Sequence, residues 1–253
     1  MMPIVDKPMS NHQSPTPPDE QAFLDGYDPA LFERPSVAVD VVLLAPDEGS
    51  IHTLLIQRQE HPFRLKWALP GGFIRMNEDL EAAAARVLRE KAGLKGIFLE
   101  QIGTFGAPKR DPRTRILSVA YMALVDQERF SACKAGSALA RLVVPWDGEE
   151  GGPVEVLDVQ GKAMPLAFDH ADILGLAVKR LRGKLDYTPV GFQLLPKAFT
   201  LYDLQKVHET VLARKLNKDS FRRRMLATGL LEATGEQQDD VGHRPAALYR
   251  YSA

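Results

Sequence analysis

Gly72-Phe-Ile-Arg-Met-Asn-Glu78-Asp-Leu-Glu-Ala-Ala-Ala-Ala-Arg86-Val-Leu-Arg-Glu90-Lys-Ala-Gly93-Leu94 is the stretch on which the reading of this chain turns. Its alanine-rich part predicts a helix from about Asp79 to Ala92, with Gly93 as the C-cap. Just upstream, Trp67-Ala-Leu-Pro-Gly-Gly72 follows a loop through His61 and Pro62. Further upstream, the β-branched run Ser36–Leu44 predicts a largely buried strand, and Thr53–Arg58 its partner across a turn at Pro46–Ser50. Downstream, strands are expected at Phe98–Thr104, Arg115–Val125, Leu139–Val144 and Val154–Val159, then a helix from about Asp169 to Leu185. The first two dozen residues, with Asn11, Ser14, Pro15, Pro17 and Pro18, predict a disordered tail over 1–26.

A chain of 253 residues with 45% hydrophobic and 26% charged side chains has the composition of a folded protein with a sizeable core. The 32 basic and 33 acidic residues give a net charge of −1, which excludes a uniformly basic coat but not a local basic patch. The single cysteine, Cys133, makes no intramolecular disulfide and no thiolate metal site, and reads as a small buried hydrophobe in a reducing compartment. The apolar run Leu117–Val125 is too short for a bilayer span, and no apolar signal core is expected at the N-terminus, so a cytoplasmic protein without membrane contact is expected.

Gly72, Glu78 after five residues, Arg86 after seven more, then Leu88, Glu90, Gly93 and Leu94 resemble the Nudix box, whose fixed positions they match at seven of nine. The resemblance covers roughly Ser36–Leu185 and implies an α/β fold, a mixed-sheet α/β/α sandwich. In Nudix hydrolases the box glutamates hold divalent cations that bridge a diphosphate. Positions 87, 90 and 91 share one helix face, where three carboxylates would form an oxygen-ligand patch. Here they are Val87, Glu90 and Lys91, so metal-assisted hydrolysis is expected to be crippled and no catalytic or metal-binding residue is assigned. Lys91 has two readings: a cation that partly neutralises a diphosphate where a metal would sit, or a solvated residue near the last helical turn. Arg86 reads as an i,i+4 partner of Glu90 rather than a ligand contact.

Lys109-Arg-Asp-Pro-Arg-Thr-Arg115 places four basic side chains on a loop before a strand, suited to a phosphate through bidentate arginine contacts. Similar segments occur in ADP-ribose-type Nudix proteins, which favours a ligand role for Arg110 and Arg113. Trp67 reads as core. With Arg58, Gly71, Gly72, Glu78, Arg86, Glu90 and Lys91, these two arginines make up the candidate ligand-binding set.

From Gly183 to Pro196 the helical pattern lapses, and 186–195 reads as a linker. Residues 196–253 carry ten Lys or Arg against seven Asp or Glu, a net of +3, leaving −4 for the rest. Such asymmetry suits an anionic partner. Thr200-Leu-Tyr-Asp203 reads as a variant capping box opening a helix, and Leu201, Leu204, Val207 and Val211 give it an apolar face. Asn217 caps a second helix, Lys218–Thr228, ended by Gly229. Phe221 and Met225 share one face of it. Ser220, Arg223 and Arg224 lie on the other, with Arg222 at the flank. Two strands, Leu230–Ala233 and Ala246–Tyr251, flank a polar loop with His243 and Arg244. Helix, turn, helix and hairpin form the layout of a winged helix-turn-helix, whose second helix enters the major groove. The candidate DNA-binding set is Thr200, Lys215, Lys218, Ser220, Arg222, Arg223, Arg224, His243 and Arg244.

From about Tyr27 to Tyr251 the chain resembles the NrtR family, Nudix-related transcriptional regulators of NAD metabolism. The resemblance is carried by Arg34-Pro-Ser-Val37, Trp67–Gly72, the altered box, Arg110-Asp-Pro-Arg113 and Asn217–Gly229. It implies a sensor domain over 27–185, a reader over 196–253, and a homodimeric repressor of NAD biosynthesis or salvage genes. Such a repressor binds palindromic operator DNA and is released by ADP-ribose or a related nucleotide, with no required cofactor. Two alternatives stay open: an active ADP-ribose or nucleotide-sugar diphosphatase using Glu78 and Glu90, and a regulator of sugar catabolism with a pentose-derived effector.

Overall fold

The computed structural model describes residues 17–133, 137–185, 187–238 and 245–252. Residues up to Arg34 form a unit of their own, so 27–34 group with the N-terminal segment rather than with the expected sensor domain. Within that unit, Pro17–Gly26, expected as unstructured tail, forms a helix, α1. Asp28 caps a short 3₁₀ turn, Pro29–Leu31, by accepting from the Ala30 amide, and Tyr27 stacks on Phe32.

The second unit, Pro35–Ala253, is built on a mixed sheet. Its strands are β1 (Ser36–Asp47), β2 (Ser50–Gln57), β3 (Trp67–Ala68), β4 (Gly71–Phe73), β5 (Leu99–Phe105), β6 (Ile116–Leu124), β7 (Ser137–Val143) and β8 (Glu155–Leu157). The order is β5-β6-β1-β2-β7-β8, with β1 and β6 parallel and the other neighbours antiparallel; β3 pairs with β2 and β4 with β1. Between β1 and β2 the turn is two residues, Glu48 and Gly49, both at positive φ, which matches the right-handed twist of a tight hairpin.

Period-two alternation along β1 feeds both faces of the sheet. Val39, Val41, Leu43 and Ala45 meet Ala83, Ala84, Val87 and Leu88 of α2 (Leu80–Ala92). Val42 and Leu44 face the other side, with Ile173, Leu174, Ala177 and Leu181 of α4 (His170–Lys184) in the same core. Helices on both faces make the expected sandwich. A one-turn helix, α3 (Gln127–Ser131), follows β6. Asp79 caps α2 by accepting from the Ala82 amide, and Gly93 ends it in the left-handed conformation that a residue without Cβ adopts at least cost.

The expected linker is packed, not loose. Pro189–Leu194 forms a 3₁₀ helix against α5 (Leu201–Leu212), because Val190, Leu194 and Leu195 bury apolar side chains in the core that α4 also lines. Helix α6 (Lys218–Ala227) and the hairpin β9 (Leu231–Gln237) and β10 (Ala247–Tyr251) complete the reader. Strand β9 runs four residues further than expected, and Phe199 adds a bridge to Tyr249. Phe221 and Met225 are buried, as their spacing requires, with the Phe221 ring edge-on to His208. Among the described residues no helix is long and apolar enough to cross a membrane.

Candidate functional site

The antiparallel pairing of β4 with β1 sets Gly71 opposite Asp40 and Gly72 opposite Val39. A Cβ at Gly71 would run into the Asp40 carboxylate, so only glycine lets the backbone come this close. Over this floor opens a cavity of about 240 Å³ lined by Asp40, Arg58, Gly71, Gly72, Phe73, Arg110, Asp111, Arg113, Phe168 and His170 among others. A second cavity of about 360 Å³ shares Arg58, Leu69 and Gly71 with it and reaches Lys91. Six of the nine ligand candidates, Arg58, Gly71, Gly72, Lys91, Arg110 and Arg113, therefore line one cleft.

Each arginine is oriented by a partner. Arg110 forks onto Asp169, Nε–Oδ2 2.8 Å and Nη2–Oδ1 2.6 Å, and lies 3.7 Å from Asp40. Burial opposes its charge, but the Asp169 hydrogen bonds outweigh that and raise its pKa further. Arg113 forks onto buried Asp111, and its guanidinium lies 5.6 Å from the Phe73 ring and 5.9 Å from that of Phe168. Burial would raise the Asp111 pKa, yet the Arg113 hydrogen bonds prevail and lower it. Arg58 donates Nε–H to the Pro62 carbonyl and lies 4.8 Å over the Phe168 ring.

Beneath them sits a buried polar cluster that sequence reasoning missed. Ser118 Oγ donates to Asp40 Oδ2 at 2.5 Å, and His170 Nε2 lies 3.7 Å from Asp40 Oδ1. His170 Nδ1 accepts from the Leu69 amide at 2.9 Å, which requires that nitrogen to be unprotonated. Burial lowers the His170 pKa in the same direction, so the ring is neutral with its proton on Nε2. One signal for Asp40 was available: a lone carboxylate inside an otherwise apolar strand run needs partners. Nothing in the sequence marked His170, Asp169 or Phe168.

The remaining candidates are placed elsewhere. Arg86 forks onto Glu78, Nη2–Oε1 2.5 Å and Nε–Oε2 2.9 Å, and also donates to the Phe73 carbonyl. Its contact with Glu90 is 3.5 Å, so the expected i,i+4 pair is secondary to a bond eight residues away. Glu78 also accepts the Arg75 amide, and Glu78, Arg86 and Glu90 are absent from the lining of both cavities. Val87 is 1% exposed and packs on the sheet side of α2. A divalent cation does not fit these residues. One box position is sealed in the core, another is an ammonium, and Glu78 is held by Arg86. Among the described residues, no three carboxylate, imidazole or thiol groups gather in a metal-holding arrangement.

In the reader, Lys215, Lys218, Ser220, Arg222, Arg223 and Arg224 are exposed, with the Arg224 guanidinium over the Phe221 ring. Asn217 caps α6 by accepting from the Ser220 amide. Thr200 requires correction: it is 2% exposed, and its hydroxyl and amide both bond Asp203 in a full capping box, leaving no donor for a nucleic acid. His243 and Arg244 lie outside the described residues.

Comparison with known proteins places this architecture. Residues 34–147 match the NUDIX domain model, and 191–251 match the model of the NrtR DNA-binding winged helix domain. Over 235 residues the chain is 38% identical to the ADPR responsive transcriptional repressor NtrR of Acinetobacter baylyi, covering 92% of this chain and 88% of that one. The chain belongs to the NrtR family. The structure of Shewanella oneidensis NrtR complexed with a 27mer DNA is 34% identical, with TM-score 0.69 over 85% of this chain and 93% of that one. The NUDIX domain of the same Shewanella NrtR, complexed with ADP ribose, is 33% identical with TM-score 0.50, over 64% of this chain and 98% of that one. Both halves of the NrtR architecture, sensor and reader, are thus present here in one packed unit.

Proposed function

We propose that this chain is a transcriptional repressor released from DNA by ADP-ribose, and that its Nudix-type cleft senses the nucleotide without cleaving it. The observation that carries the reading is the arrangement around the cleft. Arg58, Arg113 and Lys91 line it where a diphosphate would lie, while the acidic positions that a cation needs hold Val87 and Lys91. Arginine forks match phosphate oxygens as well as carboxylates, and the Phe73 and Phe168 rings offer faces to a base. The relatives bound to ADP ribose and to a 27mer DNA support the two ligand classes.

The exposed face of α6 supplies the reader. Arg222 and Arg223 enter the major groove, where arginine pairs with guanine O6 and N7, while Lys215 and Lys218 meet phosphates. The protein acts as a homodimer on a palindromic operator with half-sites about 10 bp apart or a multiple of that. The genes it controls serve NAD biosynthesis or salvage. ADP-ribose acts by binding the arrangement that does not fit DNA better than the one that does. No cofactor is required, and the molecule works among soluble cytoplasmic components.

Isothermal titration with ADP-ribose in EDTA tests the cleft. Heat of binding without metal is expected, and silence in EDTA with binding restored by Mg²⁺ would overturn the reading. A gel-shift on the duplex upstream of the chain's own coding region tests the reader, with loss of the shifted band expected when ADP-ribose is added. Rapid ADP-ribose turnover with Mg²⁺ and no shifted band would favour a diphosphatase instead.

A further inference from the structure

Helix α4 touches the cleft with its first turn and the reader with its last. At the first turn, Asp169 receives both hydrogen bonds of the Arg110 fork, and His170 accepts from Leu69 in the segment that floors the cleft. At the last turn, Arg182 is 5% exposed. Its Nε donates to the Val211 carbonyl near the end of α5 at 2.9 Å. Its Nη1 donates to the carbonyls of Trp146 and Gly148 at 3.1 and 3.0 Å. Helix rise puts Asp169 and Arg182 about 20 Å apart.

Asp169 holds the N-cap position of α4, yet its side chain makes no cap hydrogen bond. Its carboxylate has two sets of donors within reach: the Arg110 guanidinium it uses here, and the Ala171 amide of the first helical turn, whose neighbours His170 and Asp172 already donate to the Ala167 and Asp169 carbonyls. A phosphate in the cleft offers Arg110 an equivalent fork. The Asp169 carboxylate thus has one partner in use and one alternative beside it, and packed helices move as units rather than deforming continuously.

We propose that Asp169 and Arg182 are the positioning residues that couple the cleft to the reader. An anionic ligand draws Arg110 away from Asp169, the carboxylate turns to cap α4, and the shift of α4 reaches α5 through the Arg182–Val211 bond and then α6. This rests on the reading that the cleft takes a nucleotide diphosphate and α6 takes DNA. Neither residue need touch the DNA, and Arg182 is remote from the cleft.

The test measures ADP-ribose affinity in EDTA with and without saturating operator-containing duplex, and takes the ratio. Coupling is reciprocal, and a wild-type ratio of roughly tenfold or more is expected. Asp169→Asn is expected to bind ADP-ribose more tightly without DNA, because Arg110 is no longer held, and its ratio falls toward one. Arg182→Lys keeps the charge but not the three-carbonyl geometry. Its affinities for ADP-ribose alone and DNA alone stay within about threefold of wild type while the ratio falls. Thermal melts check that both fold, and should Arg182→Lys fail, the partly exposed Asp169 decides. A large wild-type ratio retained by the folded variants overturns the inference alone. A wild-type ratio of one removes the functional reading and the inference with it.

Discussion

The Arg86 guanidinium lies edge-on to the Glu78 carboxylate, bonded at 2.5 and 2.9 Å, and ties the loop after β4 to the middle of α2. Two residues that match the Nudix box thus serve here as a structural clasp around the Phe73 carbonyl and the Arg75 amide. The clasp gives Glu78 and Arg86 a structural role that needs no metal ion.

Its first consequence is acid sensitivity. The Arg86 hydrogen bond, followed by that of the Arg75 amide, holds the Glu78 carboxyl at about 2 against an ordinary value of 4.5. A depressed carboxylate contributes stability above its unfolded pKa and loses it as pH falls through the folded one. The difference in melting temperature between wild type and Glu78→Gln is therefore expected to be full above pH 4.5 and to shrink toward zero near pH 2. A difference constant across that window would contradict the clasp.

Lys91 lines the cleft beside Arg58 and Gly71. Lys91→Glu replaces attraction for a diphosphate with repulsion, so ADP-ribose affinity in EDTA is expected to fall about tenfold or more, or about 1.4 kcal/mol. Titration calorimetry measures it. Unchanged affinity would make Lys91 a solvated helix residue only.

Arg223 is exposed on the face of α6 opposite Phe221 and Met225. Arg223→Ala is expected to cost about 1–3 kcal/mol of operator binding if it reads a base, and to leave ADP-ribose binding intact. Fluorescence anisotropy on the upstream duplex reports it, and an unshifted curve removes the residue from the readout.

Phe221 anchors α6 against α5, 3% exposed with its ring 5.0 Å from that of His208. Phe221→Ala is expected to destabilise the reader by about 3–5 kcal/mol through the cavity left behind. Because the reader shares a core with the sensor, a single cooperative melt shifted downward is expected, rather than a separate early transition. Two resolved transitions would show that the halves fold independently.

The layers of the fold were legible because period-two and period-3.6 patterns expose core faces directly, as in Val39–Leu44 and Leu201–Val211. Caps were legible too, since Thr200, Asn217 and Gly93 are local chemistry. The packing of Pro189–Leu194 was not, because proline and glycine mark a break in helix without saying whether tertiary neighbours cover it. The cleft was half legible. Its basic residues announce themselves by charge, but Asp169 and Asp111 orient them from positions whose meaning depends on distant chain segments. Arg86 illustrates the same limit: local spacing pointed to Glu90, which it does contact at 3.5 Å, but the loop geometry adds Glu78 as the closer partner.

Anisotropy of a labelled upstream duplex, titrated with ADP-ribose in EDTA while the nucleotide is followed by chromatography, separates a metal-free sensor from a hydrolase. A metal-free sensor releases the duplex in EDTA and leaves ADP-ribose intact, also after Mg²⁺ is added. A complex indifferent to ADP-ribose in EDTA, together with rapid consumption of the nucleotide once Mg²⁺ is present, would contradict that reading.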